Sequence, residues 1–206
     1  MHPDRLLSPQ SFPSQQVTLY HPSDPAAAHG NFKIASVGYT SVSVFDSVST
    51  QVCVKQGFYI GPNSSSRKIY DGPRQAEMLT MELNCIGWAS GLMTCVYDFM
   101  KESEADVGLP PFNVPHMQYV QCGLAISKPK GQACPGHSAY LIEEYIETNK
   151  TGGKGWFIKY LNNSSARPRQ FEDPRQTLRA KFLSFAQHVQ FWKTDGLAFV
   201  SDFQGK

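Results

Sequence analysis

The sequence has no run of basic residues, no long apolar stretch and almost no charge imbalance. Its 19 Lys and Arg stand against 17 Asp and Glu, a formal net charge of +2. A protein that grips nucleic acid through its phosphates needs clustered cations, so no nucleic-acid partner is expected. No apolar run reaches the roughly 20 residues of a membrane-spanning helix, so no membrane partner is expected either. The opening "MHPDRLLSPQSFPSQQ" lacks the charged-then-apolar order of a secretory signal, which points to a cytoplasmic or nuclear protein that is not secreted. Cysteine is scarce as well. Five residues, Cys53, Cys85, Cys95, Cys122 and Cys134, form an odd set at irregular spacing. Cys53, Cys85 and Cys95 sit in apolar segments and read as reduced, buried thiols rather than as a disulfide framework.

What is present is an ordinary globular balance. The chain has 206 residues, 41% of them hydrophobic, enough for one sizeable core or two small lobes. Residues 1–28 are rich in Pro, Ser, Gln and Ala and read as a flexible arm. "NFKIASVGY", "SVSVFDS" and "TQVCVKQGFYI" read as strands, being rich in β-branched and aromatic residues. Pro73 opens a long helix on which Met78, Met81, Cys85, Trp88, Leu92, Val96 and Phe99 recur at steps of three and four. Gly87 and Gly91 interrupt it at about 1 kcal/mol each relative to Ala, which implies close packing there. "HMQYVQCGLAI" and "AYLIEEYI" read as strands around a turn region. Asp173-Pro174 caps a second helix with Leu178, Phe182, Phe185, Val189 and Trp192 as its buried face, and Gly196 ends it. "LAFVSDF" reads as a closing strand that sends Asp202 and Gln204 to one side. The order of strands, helix, strands, helix, strand makes an α+β protein rather than a repeating βαβ one.

Few residues carry chemistry. Lys55, between apolar neighbours in "VCVKQ", is either a solvent-facing lysine or a phosphate-binding lysine on a rigid strand. The second role needs a carboxylate to orient the amine, and Glu82, flanking the apolar stripe of the first long helix, is the expected partner. Glu77 lies farther from the stripe and reads as solvated. "YLIEEYIE" turns abruptly acidic at Glu143 and Glu144, either as a strand emerging into water or as a hinge beside a purine. Asp202 and Gln204 offer oxygens suited to a hydrated Mg²⁺, or are polar residues on a surface strand. Asn162 and Asn163 fit a turn. His188 reads first as a hydrogen-bonded structural histidine, and Cys134 with His137 makes at most half a zinc site. Neither His-Arg-Asp nor Asp-Phe-Gly occurs, which excludes an ordinary protein kinase.

Taken in order, "GNFKIASVG", "VCVKQ", "EMLTMELNCIGWASGLMTCVYDF", "YLIEEYIE", "GWFIKYLNN" and "FLSFAQHVQFWKTDGLAFVSDFQG" resemble the alpha-kinase domain of the atypical protein kinases typified by myosin heavy chain kinase and elongation factor 2 kinase. The chain is most similar to the alpha-kinase-like proteins of mushroom-forming fungi. The last segment is the most specific, with His188 fourteen residues before Asp202, Gln187 in place of the usual Ser and Phe203 in place of an aliphatic residue. The resemblance implies a two-lobed atypical kinase-like fold, with an N-terminal ATP-binding lobe over residues 29–141 and a hinge and partial C-terminal lobe over 142–206. It implies transfer of the ATP γ-phosphate to Ser or Thr of a protein substrate, with the nucleotide against the hinge. Lys55 would contact phosphates and Glu82 would hold Lys55. Gly30, Lys33, Glu143, Tyr145, Asn162 and Asn163 would line the nucleotide site, with Lys159 in the same stretch and Glu144 replacing a common Pro. Asp202 and Gln204 would bind Mg²⁺, Asp202 doubling as a catalytic acid residue, and His188 would be one of four zinc ligands. The family pattern runs on past residue 206 with a Thr-Asp-Pro segment, two cysteines, a second histidine and a glycine-rich loop. The second lobe is therefore expected to be incomplete, zinc to bind only if those ligands exist, and the chain to be a poor kinase or a non-catalytic kinase-like module.

Overall fold

The computed structural model describes residues 14–21, 28–62, 65–127, 138–147, 157–165 and 167–205. Helices and antiparallel strands occupy separate stretches of chain, an α+β arrangement in two compact units. The described residues up to Cys85 join Val120–Tyr145 in the first unit, and Ile86–Tyr119 joins the segment from Ile146 onward in the second. This division differs from the one expected at residue 141. The later turns of the first helix belong with the C-terminal segment, and the acidic end of "AYLIEEYI" stays with the first unit.

Among the described residues the first unit is built on an antiparallel sheet of seven strands. β1 (Leu19–Tyr20), β3 (Lys33–Thr40), β4 (Gln51–Ile60), β7 (Ala139–Glu144) and β6 (Cys122–Ile126) follow one another across it. β2 (Ala28–His29) also pairs with β3, and β5 (Arg67–Ile69) with β4. β4 shows why. Val52 and Val54 point to one face and are buried with Ile142 of β7, while Cys53 and Lys55 point to the other. β3 crosses β4 closely at Gly38, where a Cβ would stand 2.6 Å from Val54 Cγ2, so only glycine fits. β1 lies inside the stretch read as a flexible arm, and Thr18 and Ser41 fasten its edge with reciprocal bonds of 3.1 and 2.9 Å. Residues 1–13 and 22–27 of the arm lie outside the described residues, as do Cys134 and His137. "SVSVFDS" forms bends rather than a strand. Ser43 Oγ donates to the Phe45 carbonyl at 2.9 Å, giving the backbone a local alternative to a ladder.

Helix α1 (Gly72–Val107) starts where Asp71 accepts the Arg74 N–H at 2.9 Å. Its burial is not the continuous stripe expected. Leu79 is buried in the first unit and Met93 and Val96 in the second, whereas Met81, Cys85 and Trp88 are exposed. Two short apolar faces serve two different cores. Nothing among the described residues lies within 4 Å of a Cβ placed on Gly87 or Gly91, so close packing does not account for them.

In the second unit, helix α2 (Pro174–Lys193) begins as expected. Asp173 accepts the Arg175 N–H at 2.8 Å and Pro174 opens the first turn. Ala180, Phe182, Leu183, Ala186 and Val189 face the core with Tyr160, Leu161 and Phe203. Phe185 and Trp192, expected inside, are 39% and 64% exposed. The buried face is rotated toward small residues and two glutamines, Gln187 and Gln190, which an apolar count ignores. The chain leaves α2 through Gly196 at φ +81°, a left-handed conformation that suits glycine. The closing strand is short. β9 (Gln204–Gly205) pairs with β8 (Ile158–Lys159), and residues 197–203 join no ladder.

Candidate functional site

In the first unit the resemblance residues gather on one face of the sheet. Cys53 pairs in register with Glu143, and Lys55 with Leu141, so Lys55 and Glu143 are diagonal neighbours on adjacent antiparallel strands. The Lys55 ammonium lies 2.7 Å from Glu143 Oε1 and 2.6 Å from Oε2. Burial alone would lower the Lys55 pKa, but the charge and hydrogen bond of Glu143 outweigh it, with smaller help from Cys53 and Glu82, and the ammonium is held above its ordinary value. Glu82 does not make the expected pair with Lys55. Its carboxylate takes the Lys33 ammonium. The correction has a geometric cause: Lys33 pairs in register with Gly57, two residues beyond Lys55 on the same face, and there meets the early turns of α1. Glu77, read as solvated, pairs with Arg74 at 2.5 Å on the exposed side of α1.

Glu143, expected beside a hinge, stands two residues before the first unit ends at Tyr145. It lies within β7, nearly buried, with strands on both sides, and its carboxylate serves the protein's own lysine. The backbone leaves the ladder one residue later, where the Glu144 N–H donates to the Gln121 carbonyl at 2.8 Å, followed by half-buried Tyr145. Gly30 closes a tight turn, its N–H donating to the Lys33 carbonyl at 2.9 Å.

Two thiols frame this face, since Cys122 pairs with Glu143 across β6–β7 as Cys53 does across β4–β7. Burial pushes both up from the ordinary 9.0, Cys122 to about 11, with the charge of Glu143 adding to the rise. The folded thiols keep protons that the unfolded chain releases from about pH 9, so stability falls as pH rises beyond that point. Replacing both by Ala should flatten the alkaline decline followed by circular dichroism in urea between about pH 8 and 10.5. An unchanged slope would count against the linkage.

In the second unit Lys159 of β8 faces Gln204 of β9. Asp202 is not on the strand. It stands before it at φ +60°, a left-handed conformation uncommon for Asp and a form of local strain found at working sites. Asp202 and Gln204 are thus not delivered as alternate residues of one ladder. The Lys159 ammonium reaches Asp202 Oδ1 at 2.5 Å, and Ser201 Oγ donates to Asn163 Oδ1 at 3.3 Å. Asn162 is exposed and bridges to Ser165. The two ion pairs differ in weight. Lys159 and Asp202 are about two-fifths exposed, where such pairs contribute at most about 1 kcal/mol. Lys55 and Glu143 are far more sheltered, with side chains 25% and 10% exposed, so breaking them costs more.

Asp202, Gln204, Asn163 and Ser201 carry hard oxygen donors, the kind that Mg²⁺ takes and a soft metal does not. Zinc does not fit the described residues. His188 is exposed on α2, and no group of three His, Cys, Asp or Glu close enough to hold a metal occurs among them.

Three functional-looking residues escaped the sequence reading. Gln75, 1% exposed, accepts the Gly57 N–H at 2.9 Å and donates to the Gly57 carbonyl at 2.7 Å. Gln187 and Gln190 bind the backbone C=O and N–H of Val200 in the same manner. The available signal was a glutamine at a core position of each helix. No described helix is long and apolar enough to cross a membrane. Compared with known proteins, the chain matches no family model, no curated sequence and no solved structure.

Proposed function

We propose that this chain is a kinase-like domain of the alpha type, its two units corresponding to the two lobes, that moves the γ-phosphate of ATP to Ser or Thr of a protein. The observation that carries the reading is Lys55, a half-buried cation fixed by both oxygens of Glu143 on a rigid strand. A cation held in this way is preorganised for phosphate and needs no rearrangement as charge develops. Lys33, steadied by Glu82 on the same face, adds a second ammonium. Asp202 and Gln204 are the residues that would hold Mg²⁺, which when bound neutralises phosphate charge. Positioning and charge stabilisation would supply the acceleration, with no covalent intermediate on the protein.

A second reading has its own observation. Both key charges are already paired internally, Lys55 with Glu143 and Asp202 with Lys159. A module that binds nucleotide without transferring phosphate would look the same.

Radiolabelled Mg·ATP with a Ser/Thr-containing acceptor protein separates the readings. Phosphotransfer that falls about 100-fold or more in Asp202→Asn supports the kinase. ATP binding without transfer supports the second reading. Absence of both binding and transfer removes the two together.

A further inference from the structure

We propose that Gln187 and Gln190 are positioning residues that set the conformation of Asp202 and Gln204 by clasping the backbone N–H and C=O of Val200. Gln187 Nε2 donates to the Val200 carbonyl at 2.8 Å, and the Val200 N–H donates to Gln190 Oε1 at 2.8 Å. Both polar atoms of one residue in an otherwise ladder-free segment are thereby tied to one helix. Three residues on, the Phe203 carbonyl accepts the N–H groups of Tyr160 at 2.9 Å and Leu161 at 3.4 Å, and the Phe203 ring is buried in the core. Asp202 therefore sits between two anchored points, and its left-handed φ is over-determined from both sides.

The incomplete satisfaction of the clasp argues for a positioning role. Gln187 and Gln190 are 5% and 0% exposed, and Gln187 Oε1 and Gln190 Nε2 are buried without a hydrogen-bond partner. A buried polar atom left unpaired is costly, so apolar side chains paired with a regular strand would make a more stable core. The two glutamines favour one particular backbone path at the expense of stability. That path ends at the acid and the amide which the proposed function reads as cation ligands, and the catalytic side of the inference rests on that reading.

The test uses the full chain with Gln187→Met, Gln190→Met and Gln190→Glu. Methionine keeps length and volume but removes the hydrogen bond. Glutamate at 190 keeps an acceptor for the Val200 N–H. In both Met variants, amide hydrogen exchange at Val200–Gln204 should accelerate by about tenfold or more, while exchange in the middle of α2 stays within about twofold. Gln190→Glu should restore slow exchange at Val200 relative to Gln190→Met. The same variants should lower kcat for phosphotransfer with little change in the KM for ATP. Uniform acceleration across α2, or unchanged exchange at residues 200–204, overturns the clasp. Should Met at either position unfold the unit, the exchange of the wild-type and Gln190→Glu proteins decides: a Val200 amide that exchanges as fast as the exposed Ser201 amide in wild type overturns it. Wild-type protein with a protected segment and no phosphotransfer would retire the kinase reading alone and leave the positioning of Asp202 standing.

Discussion

Replacing Lys55 by Met is expected to destabilise the first unit by about 2–4 kcal/mol, somewhat less than the roughly 3–5 kcal/mol for breaking a fully buried ion pair. The figure sits low because a quarter of the Lys55 side chain is exposed. Methionine keeps most of the stem's packing, so the loss isolates the charge. The cause is the residue left behind: Glu143, 8% exposed within β7, would lose the cation that both its oxygens contact. The double variant Lys55→Met/Glu143→Leu should recover most of the loss, because an apolar pair of similar volume carries no desolvation penalty. Amide exchange in β4 and β7 is the suitable probe, since the described tryptophans, Trp88 and Trp192, fall in the second unit. The pH dependence has a definite sign. The Lys55 pKa is raised from 10.5, so the folded state holds its proton more tightly than the unfolded chain does. The contribution of the pair is complete below that value and is lost as pH rises through the raised one. Lys55→Met should also weaken Mg·ATP binding by about 1–2 kcal/mol in calorimetry. A double variant as unstable as the single one would mean that the loss does not come from a stranded Glu143 carboxylate, and unchanged ATP affinity would remove Lys55 from the nucleotide site.

Gln75→Leu should have the next largest effect, a loss of about 2–4 kcal/mol from the first unit. Leucine fills similar space on α1 but withdraws both the acceptor and the donor that hold Gly57. The Gly57 carbonyl keeps a 3.4 Å bond from the Tyr70 N–H, whereas the Gly57 N–H is left buried without its acceptor. The unmade bond is the larger part of the loss, since a lost bond between solvated groups costs only about 1 kcal/mol. Exchange of the Gly57 amide should rise from among the slowest in the sheet toward that of its exposed neighbours Tyr59 and Ile60. A stability change below about 0.5 kcal/mol would show that the clasp contributes nothing net.

Local chemistry in the sequence determined a good deal by itself. The β-branched and apolar run around Lys55 marked β4 as a strand, because such residues fit a pleated, half-buried surface. Asp173-Pro174 fixed where α2 begins, because the cap satisfies a backbone donor within its own turn. Lys55, Glu143, Asp202 and Gln204 stood out in the sequence as residues that carry chemistry. Their partners did not. Lys55 meets Glu143 rather than Glu82 because β7 lies beside β4, a pairing across 88 residues that no local pattern specifies. Helix periodicity gave several faces of nearly equal apolar content, and tertiary packing chose the one with Gln187 and Gln190 on α2 and divided that of α1 between two cores. The strand expected at residues 197–203 failed for the same reason. β propensity was present, but the N–H and C=O of Val200 found their hydrogen bonds in two glutamine side chains, and which backbone group meets which side chain is settled only when the chain is folded.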